Sequence, residues 1–218
     1  MFKLKNKLTI VFILLGIGNS IQLNAQVIST QILNGEQFYS TTSSTFDYDN
    51  DGDLDIIASR WDPAGIYVLV NNGAKQFNAE PIITENIDFQ IADIDIADID
   101  NDGDADLVVC LKDNNGSELA CFQKQDDGTY QKFQIAQNMR YNMADVADFD
   151  NDGWVDIVSV GTGDTENNGR LYLNQTNLTF EEKIIAQYKV KTSVDAADID
   201  NDGDIDIAFG GTGTIYGN

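Results

Sequence analysis

Short apolar runs alternate with acidic, glycine-containing segments along most of this 218-residue chain. Each acidic segment leads into a β-type pair, at Ile56-Ile57, Leu107-Val108, Ile157-Val158 and Ile207-Ala208. A further strand-like run follows in the first three units (IYVLVNN, LACFQKQ and LYLNQTN), and then an aromatic residue, Phe77, Tyr130 or Phe180. Short runs separated by turns indicate strands, and no helical period is convincing. The pattern predicts an all-β chain with four short strands per unit, and we expect the aromatic residue to pack between units.

One nine-residue acidic window occurs four times, as DYDNDGDLD, DIDNDGDAD, DFDNDGWVD and DIDNDGDID. The windows cover residues 47–55, 98–106, 148–156 and 198–206, so their starts are 51, 50 and 50 residues apart. A fixed period near fifty indicates a repeat architecture, and four antiparallel strands per period describe a propeller blade. We therefore predict a β-propeller over residues 26–218. Either QVISTQILN (26–34) completes the last blade and closes a ring of four, or the chain is a fragment of a larger propeller.

The acidic windows have the composition of metal-binding loops. Positions one, three, five and nine are aspartate in every copy, and position six is always the glycine that a sharp turn around an ion requires. Several hard oxygen donors on a flexible loop favour Ca²⁺. Position seven varies, which fits a ligand supplied by the backbone carbonyl. Position nine is expected to close the site, because Ala58, Val109, Ser159 and Phe209 stand where an EF-hand would have its glutamate.

We accordingly predict up to four bound Ca²⁺ ions. The predicted ligands are Asp47, Asp49, Asp51, Asp53 and Asp55; Asp98, Asp100, Asp102, Asp104 and Asp106; Asp148, Asp150, Asp152, Trp154 and Asp156; and Asp198, Asp200, Asp202, Asp204 and Asp206.

Charge and composition restrict the function classes. The chain has 36 acidic and 13 basic side chains, a formal charge of −23, which argues against a nucleic-acid partner. It has no histidine, the commonest general base, and the sequence shows no other recognisable set of catalytic residues. We therefore predict a non-catalytic protein. Cys110 and Cys121 flank a predicted turn. They form either a local disulfide or two small core side chains.

The first 25 residues predict a secretory signal. Three lysines precede the apolar run LTIVFILLGIG, and Ala25 offers a cleavage point before Gln26. The apolar run is shorter than the ~20 residues that a membrane span needs. We expect an exported protein, secreted or at the cell surface, with no membrane insertion after the signal is removed.

The acidic window, the two aliphatic residues after it and the fifty-residue period resemble the FG-GAP/VCBS repeat family. The segments VLVNNGAKQF and LYLNQTNLTF are similar to that family's hairpin between the third and fourth strands. The resemblance implies a propeller like the integrin α-subunit head, with calcium in the loop between the first two strands of each blade. It also implies a protein or glycan ligand, or a module attached to an enzyme.

Successive loops of such a blade alternate between two ends, so the loops opposite the calcium loops form a separate face. That face includes Arg60, Trp61, Arg140 and Tyr141, which we consider candidate contacts for a glycan or protein, although loop packing and solvated charge explain them too. The alternatives to a binding module are the propeller part of a polysaccharide lyase and a structural spacer. Asp95, Asp145 and Asp195 recur near the end of the first strand, with Ser44 in the first unit, and are expected to bond the backbone of the adjacent loop.

Overall fold

The computed structural model describes residues 39–72, 77–84, 90–112, 117–137, 139–162, 169–176, 178–186 and 193–210. The signal predicted for residues 1–25, the strand predicted for residues 26–34 and the final IYGN segment lie outside the described residues. Within those ranges the regular structure is β-strand. The described part contains no helix long and apolar enough to cross a membrane.

The strands form four antiparallel sheets, one for each repeat unit, and neighbouring strands in a sheet are consecutive in the chain. The first sheet contains β1 (Ser43–Phe46), β2 (Asp55–Trp61), β3 (Ala64–Asn71) and β4 (Phe77–Ile83). The second contains β5 (Gln90–Ala97), β6 (Asp106–Lys112), β7 (Ser117–Lys124) and β8 (Tyr130–Ala136). The third contains β9 (Arg140–Ala147), β10 (Asp156–Thr162), β11 (Gly169–Asn174) and β12 (Phe180–Ala186). The described part of the fourth contains β13 (Ser193–Ala197) and β14 (Asp206–Gly210). The predictions of an all-β chain and of four strands in each of the first three units are confirmed.

The hydrophobic core lies between successive sheets. Side chains alternate between the two faces of a strand, so a sheet between two others is apolar on both faces. Val68 of the first sheet and Leu107 of the second belong to one buried cluster. A second cluster joins the second and third sheets, and a third joins the third and fourth. Tyr130 and Phe180 pack partly buried against the first and second clusters, which confirms the expected packing role of these two aromatics.

The first strands of successive sheets contact one another, β1 with β5, β5 with β9 and β9 with β13. Carboxylates join them. Asp93 accepts hydrogen bonds from the Thr42 hydroxyl (3.0 Å) on one side and the Ala144 N–H (3.0 Å) on the other. Asp145 accepts a bond from the Ala196 N–H (2.6 Å) in the fourth sheet. These side chains therefore connect neighbouring sheets.

Asp95, Asp145 and Asp195, with Ser44 in the first unit, were expected to bond the backbone of the adjacent loop. For Asp95 and Asp145 this is wrong, and for Asp195 and Ser44 it stays a prediction. Asp95 and Asp145 each accept a hydrogen bond at 2.9 Å from the N–H of the next residue in the same strand, and the two carboxyl groups also bond each other. Burial, with the nearby charges of Asp145 and Asp93 acting in the same direction, raises the pKa of Asp95 to about 8. The loss of hydration around a buried carboxylate is the main cause of this rise in the pKa of Asp95, and repulsion from the neighbouring carboxylates adds to it.

Both cysteines are free and buried, so of the two alternatives the core role is correct and the disulfide is not formed. Cys110 lies on β6 opposite Leu119, and Cys121 lies on β7 opposite Val108. The two thiols are thus not cross-strand partners. Both belong to the cluster between the second and third sheets.

Candidate metal centre

Each acidic window forms the loop between the first two strands of its sheet. Two residues of every loop have positive φ: the asparagine at position four, between 58° and 62°, and the glycine at position six, between 90° and 102°. Glycine adopts this backbone without steric cost, and asparagine tolerates the left-handed region better than most residues. The glycine was anticipated from the sequence. The asparagine was overlooked, although its presence in all four copies was the available signal.

Three carboxylates converge in every loop, from positions one, three and nine. In each triad one oxygen from each side chain lies within 4.8 Å of the others. The triads are Asp47, Asp49 and Asp55; Asp98, Asp100 and Asp106; Asp148, Asp150 and Asp156; and Asp198, Asp200 and Asp206. The structure thus brings together twelve of the twenty predicted ligands.

The position-nine carboxylate anchors the loop to its sheet. Asp106 is buried and accepts bonds from the Ile99 N–H (3.1 Å) and from the Lys124 N–H (2.8 Å) at the end of β7. Asp55 and Asp156 are bonded in the same way in the first and third sheets. Burial raises the pKa of Asp106 to about 6, and the charges of Asp100 and Asp102 act in the same direction.

Positions one and five close the loop around these carboxylates. In the second loop Asp98 accepts bonds from the N–H groups of Asp102 (3.0 Å) and Gly103 (2.9 Å), and Asp102 accepts one from the Asp104 N–H (2.8 Å). The third and fourth loops repeat this pattern. Positions five and seven are not members of the triads. Metal ligation by Asp51, Asp53, Asp102, Asp104, Asp152, Trp154, Asp202 and Asp204 stays a prediction.

The first loop contains an unsatisfied carboxylate oxygen. Here the Asp51 N–H donates to Asp49 (3.2 Å), and Asp47 Oδ1 is buried with no hydrogen-bond partner among the described residues. A buried carboxylate oxygen normally has a partner, and leaving one without costs more than an ordinary hydrogen bond contributes. Its position beside two other carboxylates fits a cation, so the residues present suit a hard divalent metal ion.

Neighbouring loops are bridged by asparagine side chains. Asn101 Nδ2 donates to the Gly153 carbonyl (3.1 Å) of the third loop, and Asn151 Nδ2 donates to Asp204 Oδ1 (3.0 Å) of the fourth. The buried Asn174 at the end of β11 donates to the carbonyls of Ile99 (2.8 Å) and Val155 (3.1 Å). No local pattern in the sequence predicts these bridges, which make the second, third and fourth loops part of the contacts between sheets.

The structure exposes some residues of the predicted ligand face and buries another. Trp61 is 59% exposed at the end of β2, and the Arg60 guanidinium lies 5.2 Å from the centre of the Tyr67 ring. Arg140 is exposed at the start of β9, but Tyr141 is fully buried, with its hydroxyl 2.9 Å from that of Tyr172. Consecutive strand residues face opposite sides, so Tyr141 points into the core when Arg140 points out. The prediction of Tyr141 as a ligand contact is therefore wrong.

An open cleft of about 400 Å³ lies between the second and third sheets. Its polar and aromatic lining includes Gln134 and Gln137 from one sheet and Tyr172, Phe180 and Glu182 from the other. Its walls come from segments about forty residues apart, so no local pattern in the sequence indicates the cleft.

Comparison with known proteins agrees with this architecture. A family model described as an FG-GAP-like repeat matches residues 47–109 and 148–209, which include all four acidic loops and more than half of the chain. A search of curated proteins found no match. The chain belongs to the FG-GAP-like repeat family.

Proposed function

We propose that this protein is a secreted or cell-surface calcium-binding β-propeller that binds a protein or glycan ligand and has no catalytic activity. The observation that carries the proposal is the convergence of three carboxylates within 4.8 Å in each of four loops. At that separation and an effective dielectric constant near 20, two charges repel by roughly 3 kcal/mol. A divalent cation offsets this repulsion in every loop.

Calcium suits the donors better than the common alternatives. The triads offer oxygen and neither nitrogen nor sulfur, which favours a hard cation over zinc or copper. Calcium accepts six to eight oxygen ligands in flexible geometry. The position-five carboxylate and the position-seven carbonyl of each loop are the proposed additional ligands, and Asp47 Oδ1 would gain the partner that it lacks.

The propeller proposal is supported by the order of the strands. Each complete sheet runs in sequence from its first to its fourth strand, and the first strands of successive sheets contact one another. This arrangement suits blades whose first strands lie nearest a common axis.

The binding role is supported by exposed aromatic and cationic groups away from the calcium loops. Trp61 is largely exposed beside Arg60, and Arg140 is exposed at the start of β9. Aromatic and arginine side chains dominate the binding energy of many interfaces. A glycan array distinguishes a binding module from a spacer. An oligosaccharide-cleavage assay, with and without chelator, tests the polysaccharide-lyase alternative.

Calcium binding is tested by thermal unfolding. Excess chelator should lower the melting temperature, and Ca²⁺ should restore it more fully than Mg²⁺, because an ion that binds only the folded state stabilises it by mass action. Asp150→Asn should reduce the calcium-induced shift. The matched control is Asp127→Asn, an exposed aspartate that bonds Thr129 in the turn before β8. A melting temperature that is unchanged by chelator, or equal calcium shifts in the two variants, would contradict the proposal.

Export is tested separately by sequencing the N-terminus of protein recovered outside the cytoplasm. The expected first residue is Gln26, and recovery of the protein only in the cytoplasm with Met1 retained would refute export.

A further inference from the structure

The asparagine bridges join the segments that carry the proposed calcium ligands of neighbouring loops. Asn151 stands at position four of the third loop, directly after Asp150 of the triad and directly before Asp152. Its Nδ2 donates to Asp204 Oδ1 at position seven of the fourth loop (3.0 Å). The Asp204 N–H in turn donates to the Asp202 carboxylate at position five (2.9 Å). This bridge therefore connects ligand-bearing backbone in one loop to ligand-bearing backbone in the next.

The second and third loops are connected in the same direction. Asn101 Nδ2 donates to the Gly153 carbonyl at 3.1 Å. The N–H of the same peptide group, on Trp154, donates to the Asp152 carboxylate at 2.9 Å. A peptide group is planar and rigid, so the bridge reaches the position-five carboxylate through a single group. The third loop thus accepts a bridge from the second loop and donates one to the fourth.

The first loop has no bridge of this kind. Asn50 has a φ of 59°, close to the 58° of Asn151, so the two asparagines have similar backbone conformations. Among the described residues, however, no hydrogen bond joins the first loop to the second. The first loop contacts the second unit through Tyr48 instead, whose ring centre lies 5.5 Å from Lys124 Nζ. The chain therefore contains bridged pairs of loops and an unbridged pair that can be compared directly.

A bridge makes the conformation of one loop depend on that of its neighbour. Each empty loop holds several carboxylates that repel one another, so closing the loop costs free energy that a bound cation offsets. The bridge forms when the donor in one loop and the acceptor in the next are both held in the closed conformation. An ion that fixes one loop therefore removes part of the ordering cost of the other, and the effect is reciprocal.

We propose that the asparagine bridges make calcium binding cooperative among the second, third and fourth loops, with no such coupling between the first loop and the second. This inference rests on the proposed calcium binding. The net contribution of one hydrogen bond corresponds to a change of about two- to tenfold in the calcium affinity of the neighbouring loop. Repulsion between bound ions acts against binding in every pair of neighbouring loops. Replacing a neutral asparagine leaves that repulsion unchanged, so the replacement isolates the bridge.

Calorimetric calcium titrations of full-length variants test the coupling. Asp49→Asn with Asp100→Asn leaves the third and fourth loops intact, and a further Asp200→Asn leaves the third loop alone. Asn151→Gly removes the bridge but keeps the backbone, because glycine adopts positive φ without strain. It should lower the product of the two calcium binding constants of the pair by about two- to tenfold more than it lowers the single constant of the third loop. An asparagine that only shaped its own loop would lower both by the same factor.

The matched control is Asn50→Gly in a variant that combines Asp150→Asn with Asp200→Asn and so retains the first and second loops. Asn50→Gly should lower the calcium binding of this pair by no more than it lowers that of the first loop alone, which a further Asp100→Asn leaves. Asn101→Gly, in a variant that retains the second and third loops, should repeat the result of Asn151→Gly.

The outcomes separate the coupling from calcium binding itself. Bridge variants whose effects are the same with and without a working neighbouring loop would overturn the coupling alone, as would an equally large pair effect for Asn50→Gly. Absence of calcium binding to the wild type, checked by equilibrium dialysis, would refute the calcium-binding proposal together with the coupling. Circular dichroism should show that the variants remain folded, since Asn50, Asn101 and Asn151 are exposed.

Discussion

Replacing Asn174 with alanine tests whether the buried asparagine bridge holds the second and third sheets together. The side chain is fully buried, and it donates to the Ile99 and Val155 carbonyls at 2.8 and 3.1 Å. Its own Oδ1 accepts a bond from the Thr176 N–H at 3.1 Å. The Ile99 carbonyl is 75 residues away in the chain, so this bond joins two repeat units directly.

The expected cost is about 2–5 kcal/mol. Each of the three hydrogen bonds contributes roughly 0.5–1.5 kcal/mol net, and a buried carbonyl left without its donor adds to the loss. With a urea dependence of about 1–3 kcal/mol per molar, the unfolding midpoint should fall on the order of 1–2 M. In the matched variant Asn71→Ala the lost bond to the Leu54 carbonyl is exposed and lies within the first sheet, so its cost should be the smaller of the two.

Urea unfolding at constant calcium measures both midpoints. A third variant, Asn174→Asp, keeps the side-chain volume but places an oxygen where the amide donated to two carbonyls. It should destabilise at least as much as the alanine variant, because a buried charge then faces two acceptors. Equal midpoints for the Asn174→Ala and Asn71→Ala variants, or a near-wild-type midpoint for Asn174→Asp, would refute this reasoning.

Three further predictions concern the inner strands, the loops and the core. Burial raises the pKa of Asp95 in the folded protein to about 8, above the usual 3.8, so the stability that its proton confers is lost as pH rises between these values. Urea midpoints measured from pH 5 to 8 should therefore fall less steeply in Asp95→Asn than in wild type, and parallel slopes would contradict this. Gly153→Ala should lower the free energy of unfolding by about 1–2 kcal/mol, measured by heat or urea, because alanine disfavours a φ of +90°. No atom obstructs the added methyl group, so this cost comes from the backbone conformation alone. An unchanged stability would argue against the left-handed turn. Cys110 and Cys121 should resist alkylation in the native protein and both react after denaturation, as mass spectrometry can show, because both thiols are buried and burial raises their pKa.

The repeat determined most of what could be predicted from the sequence. Four copies of one window at a fixed spacing located the loops, and the runs between them located the strands of the first three units. The carboxylates at positions one, three and nine meet in the structure because the loop backbone is encoded locally, by an asparagine and a glycine with positive φ. Such a site can be predicted from sequence because residues within the loop itself determine the backbone conformation that brings the carboxylates together.

Contacts between units were not predictable in the same way. Asp145 bonds the next sheet because the first strands lie side by side, and no local pattern reports that neighbour. The burial of Tyr141 depends on which strand face points toward the second sheet, and a shift of one residue would have exposed it. The bridge from Asn174 to Ile99 likewise depends on how the sheets pack.

The central claim is that the aspartate triads bind calcium, and a crystal structure grown in calcium tests it most directly. Anomalous difference maps should show a peak among the position-one, position-three and position-nine carboxylates of the loops, lost when the crystals are grown in chelator. Ordered water alone between these carboxylates, at millimolar calcium, would contradict the account.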